Sequence, residues 1–223
     1  MLPIDSLLDT WRADVARRGA HPRQTKRVTT AVRSLLRGED LRRVVTELAD
    51  AYRACFPASP LVLRVPGPCQ LLSAANRVAS GGEPDQLDPD NIDISTVYLA
   101  DFLRVFAGCG VDAILLSERG GAHLPPEDST WCEPVRNVAD HYGWSVGEAL
   151  ETNATAVPEG APDRDFVIAS EPVPGVVTGV QVGDAFWREG QVPPAPPSGF
   201  YHVTVPTGIL PELLLDRLRD LRC

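Results

Sequence analysis

DFLRVFAGCGVDAILLSERGGAH, residues 101–123, is the stretch whose reading decides the fold. Phe102, Val105 and Phe106 recur at helical spacing, and Gly108 and Gly110 offer the positive φ at which helices commonly end. Val111 to Leu116 is too short and too apolar for another helix, so it reads as a buried strand. Ser117 and Glu118 then put a hydroxyl and a carboxylate at the strand's carboxyl end, where parallel α/β folds place their ligand chemistry.

Working outward from this αβ unit, residues 1–56 are helical in pattern. Ile4, Leu7, Leu8, Trp11 and Val15 form one apolar stripe; Val28, Ala31, Val32, Leu35 and Leu36 form a second; Leu41, Val44, Val45, Leu48, Ala49 and Tyr52 form a third. Three helices are therefore expected before any strand. The first strand is Leu61 to Val65, entered through Pro57 and Pro60 and left through Pro66, Gly67 and Pro68. Arg64 inside it fits either an alternating edge strand or a cation aimed into a pocket. A short helix around Gln70 to Val78 precedes the exposed segment SGGEPDQLDPDN, and Asp93 or Ser95 is placed to cap the helix that follows.

Beyond His123 the pattern repeats, with a helix from Pro125 to His141 and an apolar piece from Trp144 to Leu150. Further strands are expected at Phe166 to Ser170, Val176 to Val182 and Tyr201 to Val205, and a last amphipathic helix from Pro211 to about Leu221. Strands separated by helices or long loops predict a parallel sheet with crossovers. The proline run VPPAPPSG at 192–199 reads as a stiff surface loop.

Composition narrows the function classes. A net charge of −9 disfavours phosphate backbones and anionic membranes, so neither nucleic acid nor membrane is an expected partner. No apolar run approaches the ~20 residues of a membrane span, and the start of the chain lacks the order of a secretory signal, so a cytoplasmic protein is expected. The five cysteines are widely spread with no CxxC, which predicts reduced and partly buried thiols rather than a disulfide frame or a clustered zinc site.

Polar groups recur at strand ends. Glu118 closes AILLSE, Glu171 closes FVIASE, and His202 lies within FYHVTV. Convergent carboxylates and an imidazole suit acid–base work or a divalent metal, with the metal itself unspecified. These three are the catalytic candidates, with Arg64 and His123 as substrate-binding candidates. The alternative for each glutamate is a solvated acid at a loop start. His123, in the glycine-rich RGGAH loop, either swings over the pocket or is simply exposed, and His141 reads as a helix-end charge.

PLVLRVPGPCQLL, GVDAILLSE and GFYHVTVPTGILPELLLDRLRDL, in that order, resemble landmarks of the superfamily holding uroporphyrinogen decarboxylase, the cobalamin-related methyltransferases and cobalamin-independent methionine synthase. The resemblance spans roughly residues 40–223 and implies a (β/α)8 TIM-type barrel with its pocket at the carboxyl rim. Departures accompany it. RQTKR at 23–27 is a poor match to the decarboxylase's arginine-rich loop, PGPCQLLSAANR lacks its tyrosine, VPTGI lacks its late histidine, and WSVGEAL lacks the His-x-Cys of the zinc methyltransferases. A thiolate zinc site is therefore not expected. Six predicted strands fall short of eight, so the expected fold is a shortened or incomplete barrel (57–223) with an N-terminal helical segment (1–56) packed on it. Such a barrel would leave strand edges, which predicts a homodimer or a partner subunit. The resulting expectation is a small-molecule biosynthetic enzyme performing proton, carboxyl or one-carbon transfer. The alternative is a non-catalytic member that binds a ligand or completes a partner's barrel.

Overall fold

The computed structural model describes residues 1–6, 28–80, 87–117, 132–150, 164–196 and 198–221. It is an α/β protein in which every described strand pairing is parallel. Two compact units divide the chain, the first holding Met1–Val146 and the second, among the described residues, 147–150 and 164–221. No helix among the described residues is long and apolar enough to cross a membrane.

The first unit opens with β1 (Leu2–Pro3), so a strand and not a helix begins the chain. Two residues are too few to show a period, and the apolar stripe beginning at Ile4 hides them. Pro3 has no N–H to offer and suits this outermost position, where β1 pairs with β2 (Val62–Pro66) through Leu2↔Leu63 and Pro3↔Arg64. The chain turns helical at Ile4, which is fully buried. Helices α1 (Val28–Leu36) and α2 (Glu39–Cys55) follow the second and third stripes, with Glu39 and Asp40 complementing the positive end of α2.

Helix α3 (Pro68–Ser80) leaves β2 directly, and α4 (Pro89–Leu103) ends in a 3-10 turn at Arg104–Phe106. The cap of α4 is Asp88, whose side chain accepts the Asp90 N–H at 3.2 Å. Asp93 and Ser95, the expected caps, lie inside the helix, because an acceptor followed by Pro89 at the first helical position is the stronger start. Of the two glycines after this helix only Gly110 is left-handed, at φ 66°. Strand β3 (Ala113–Ser117) pairs with β2, and α5 (Glu133–Tyr142) stops at left-handed Gly143. Leu63, Val65, Ile114 and Leu116 point into the core built with the helices, where α1 packs on α3 and α4, and α4 on α5. Arg64, Leu115 and Ser117 take the opposite face by strand alternation.

Asp112 ties this unit together. Its carboxylate accepts the Leu61 N–H at 2.7 Å and an Arg53 N–H at 2.6 Å. Its own N–H donates to the Leu61 carbonyl at 3.0 Å, and its carbonyl accepts the Ser145 N–H at 3.0 Å. The backbone donor first, and then Arg53, hold the Asp112 carboxyl below its ordinary value.

In the second unit β4 (Ser145–Ala149, from Gly147 onward), β5 (Phe166–Ala169), β6 (Val177–Val182) and β7 (Gly199–Val203) pair in that order. A short helix, α6 (Asp184–Glu189), follows β6, and α7 (Pro211–Asp220) closes the described chain. Val182, Phe186 and Trp187 pack with Leu214 and Leu218 of α7. On the other face glycines make room for rings. A Cβ at Gly147 would stand 2.3 Å from the Phe166 ring, and one at Gly179 would stand 2.4 Å from Ile168 and 2.6 Å from Phe200.

Gly147→Val should therefore destabilise the protein by about 1–3 kcal/mol in urea unfolding, while Gly183→Ala, with open space around it, should stay within about 0.5 kcal/mol. Because the folded Asp112 is depressed, its contribution is present above the unfolded value near 3.8 and is lost as pH falls through the folded one. Asp112→Asn should lower stability at neutral pH and flatten the loss below about pH 4, read from urea midpoints across that range.

Candidate functional site

The strand face of the first unit turned away from the helices carries Arg64 among Val62, Ala113 and Leu115. The Arg64 guanidinium meets the Asp5 carboxylate at 2.8 Å, Nε to Oδ2, with side chains 21% and 2% exposed respectively. Pro3 pairs with Arg64 in register, and Asp5 lies in the helical turn that begins at Ile4, just past the carboxyl end of β1. The other Asp5 oxygen accepts the Ser6 N–H at 2.8 Å, and Arg64 Nη2 donates to Ser6 Oγ at 3.5 Å. Ser117 is buried and donates its hydroxyl to the Val65 carbonyl at 3.2 Å, while its own carbonyl accepts the Gly67 N–H at 2.9 Å. That last bond fixes the turn through which β2 enters α3. An ion pair taken out of water this far is seldom the cheapest way to hold strands together, since apolar side chains of equal volume do so as well or better.

Of the sequence-derived candidates, Arg64 is thus engaged with an acid that the sequence reading missed. Asp5 was hidden because an acid early in a helical stripe looks like a helix-start charge; the signal that could have found it is the short apolar pair Leu2–Pro3 ahead of it. Glu118 and His123 lie outside the described residues.

In the second unit Glu171 is exposed and follows the end of β5, and His202 is half-buried in β7 opposite Gln181. Glu171 follows the carboxyl end of β5 and His202 lies toward that of β7, with β6 between the two strands. By alternation His202 and Gln181 share the face that carries Phe200 and Gly179.

The most deeply buried charges of this unit were not foreseen. Glu148 of β4 pairs with Arg164, just ahead of β5, at side-chain exposures of 17% and 7%. Glu148 Oε2 meets Arg164 Nη2, whereas Arg164 Nε and Nη1 are buried with no hydrogen-bond acceptor among the described residues. Burial pushes the Glu148 carboxyl above its ordinary value, and the arginine opposes that rise. Glu148 sits in a short strand and Arg164 lies well beyond it in the chain, so no local sequence spacing links them.

Among the described residues no three His, Cys, Asp or Glu side chains form a group that could hold a metal ion. Cys69, Cys109 and Cys132 are buried and Cys55 is exposed. Burial, then the neighbouring Asp50, pushes the Cys109 thiol up to about 11. Comparison with family models, curated proteins and solved structures gave no match to this chain. What the fold defines is a parallel α/β protein with partly buried ion pairs at its strands.

A raised folded value means that Glu148 contributes stability fully below its unfolded value and loses it as pH rises through the folded one. In a carbon-detected NMR titration the Glu148 carboxyl should titrate above the ordinary glutamate value of 4.5, and Arg164→Met should move it further up. A midpoint that falls in the variant would mean that the arginine does not oppose the burial.

Proposed function

We propose that the chain is a small-molecule enzyme of the superfamily resembled by its sequence, built as a shortened (β/α) barrel and acting on a small polar substrate by proton, carboxyl or one-carbon transfer. The observation that carries the reading is the Arg64–Asp5 pair, its acid buried and its guanidinium partly so, with Ser6 beside it and Ser117 on the same face of the neighbouring strand. Parallel α/β enzymes bind substrate at the carboxyl ends of their strands, and a desolvated guanidinium is a strong receptor for a carboxylate. Uniformly parallel pairing in both units, with helices between most of the strands, supports the barrel.

In this reading Arg64 binds the anionic part of the substrate and Asp5 fixes the guanidinium in place. Glu118, Glu171 and His202 are the groups assigned to proton transfer, and His123 to substrate binding. An imidazole titrates near neutral pH when unperturbed, which suits it to both giving and taking a proton. A divalent metal, if used, would draw on the carboxylates among these residues.

Asp5→Asn leaves Arg64 facing a neutral amide and should destabilise the fold by a few kcal/mol, less than the 3–5 kcal/mol of a fully buried pair because Arg64 is partly exposed. Asp5→Leu combined with Arg64→Met should restore the melting temperature to within a few degrees. Incubated with a small-molecule extract of its own cells, the natural chain should deplete one component, measured by mass spectrometry, and the stable double variant should not. Depletion by both proteins would remove Arg64 from the site, and depletion by neither would end the enzyme reading.

A further inference from the structure

A groove of about 790 Å³ opens among the helices of the first unit, away from the strand residues described above. Its wall is contributed by the end of α1, by α4 and its 3-10 turn, and by α5. Three basic side chains line it, Arg37, Arg104 and His141, each from a different one of these places. Neither arginine makes an ion pair or a side-chain hydrogen bond among the described residues. The acid on the lining, Asp101, is already held by Arg42 at 2.8 Å. A chain with a net charge of −9 thus carries a local basic rim with two guanidinium groups uncommitted.

Apart from Asn137 and the tyrosine hydroxyls, the rest of the wall is apolar. Tyr142 stacks on buried Trp144 at 4.9 Å between ring centroids, and His141 meets Tyr142 edge-on at 4.7 Å. This column is fixed from behind by the tryptophan, so it needs no ordering when something lies against it. Val97, 54% exposed on α4, and Tyr98 face the same space. The exposed valine and the unpaired arginines take no part in the buried contacts between these helices, which are made by Leu99, Phe102, Val135 and Val138, while Tyr98 and Tyr142 pack partly against that core and turn their remaining surface to the groove. Pockets for small organic ligands typically measure 300–1,000 Å³ and combine an apolar lining with a few convergent polar groups.

We propose that this groove binds a small organic anion with a flat apolar body, its ring against the Tyr142 wall and its charge between Arg37 and Arg104. Arginine supplies planar, paired donors to a carboxylate, sulfonate or phosphate, and the local positive field raises the concentration of anions at an otherwise acidic surface. A neutral ring of the same size would meet only the apolar wall. A small inorganic anion would meet only the arginines.

Anilinonaphthalene sulfonate, a flat apolar body with one anionic group, tests this on the full chain by fluorescence and calorimetric titration. One saturable site is expected, with affinity weakened at least tenfold in Arg37→Gln/Arg104→Gln and undiminished in Arg188→Gln/Arg219→Gln, which removes exposed arginines of the second unit. Val97→Glu, which adds a carboxylate to the groove, should abolish binding with an unchanged circular dichroism spectrum, and it gives an independent answer should the arginine pair prove necessary for folding. Naphthalene methanol, which lacks the charge, should compete at least tenfold more weakly than naphthalene carboxylate. Absence of binding to the natural chain, equal loss in both arginine pairs, equal competition by the neutral and charged rings, or unaltered binding in Val97→Glu would each overturn the proposal.

Discussion

The first unit depends on a carboxylate with two unlike tasks. Asp112 stands where the chain leaves the turn after α4 and enters β3, and through its side chain and backbone it reaches α2, the start of β2 and the start of β4. Leu61 both gives its N–H to the Asp112 carboxylate and receives the Asp112 N–H at its carbonyl, so β2 and β3 enter the sheet in fixed register. Arg53 extends the same clamp to the Gly110, Ser59 and Pro57 carbonyls, which closes the C-terminal end of α2 over the loop that leads into β2. The strand-end chemistry inherits its geometry from this arrangement. A slip of β2 by one residue against β3 would carry Arg64 into the helix-covered core, and a slip of β3 would do the same to Ser117.

How much of this could be read from the chain differs from element to element. The stretch from Asp101 to Ser117 announced itself, because its periodicity changes from helical to continuous apolar at a glycine that has to be left-handed. Strands β5 and β6 were legible for the same reason, being short apolar runs bounded by turn residues. Leu2–Pro3 was not, since its identity as a strand exists only in its pairing with Leu63 and Arg64. Helix α6, six residues with Phe186 and Trp187 adjacent, is shorter than the two turns over which a helical period becomes visible. Arg64 stood out as a charge among Leu63, Val65 and their neighbours; its acid did not, because ion pairing across 59 residues leaves no trace in local spacing.

The second unit separates its two sheet faces by side-chain size rather than by polarity alone. Gly147 and Gly179 sit beneath Phe166, Ile168 and Phe200, so on that face the rings lie over backbone, and Phe166 and Phe200 meet edge to face at 6.0 Å. The opposite face is filled from outside by α6 and α7 through Phe186, Trp187 and the leucines of the last helix. Glycine here is a packing residue: it supplies volume to its neighbours. Gln181 and His202 continue the ring-bearing face toward the carboxyl end, where it changes from aromatic to polar within two residues of each strand.

Cys69, Cys109 and Cys132 all lie in the core of the first unit. A thiol shut away from solvent, and in the case of Cys109 held protonated beside Asp50, can be alkylated only during the intervals when the structure around it comes apart. Each of the three therefore serves as a clock for its own neighbourhood: Cys69 for the first turn of α3, Cys109 for the turn before β3, Cys132 for the start of α5. Differences among their rates would tell whether the first unit breathes as a whole or piece by piece, with no label added to the protein.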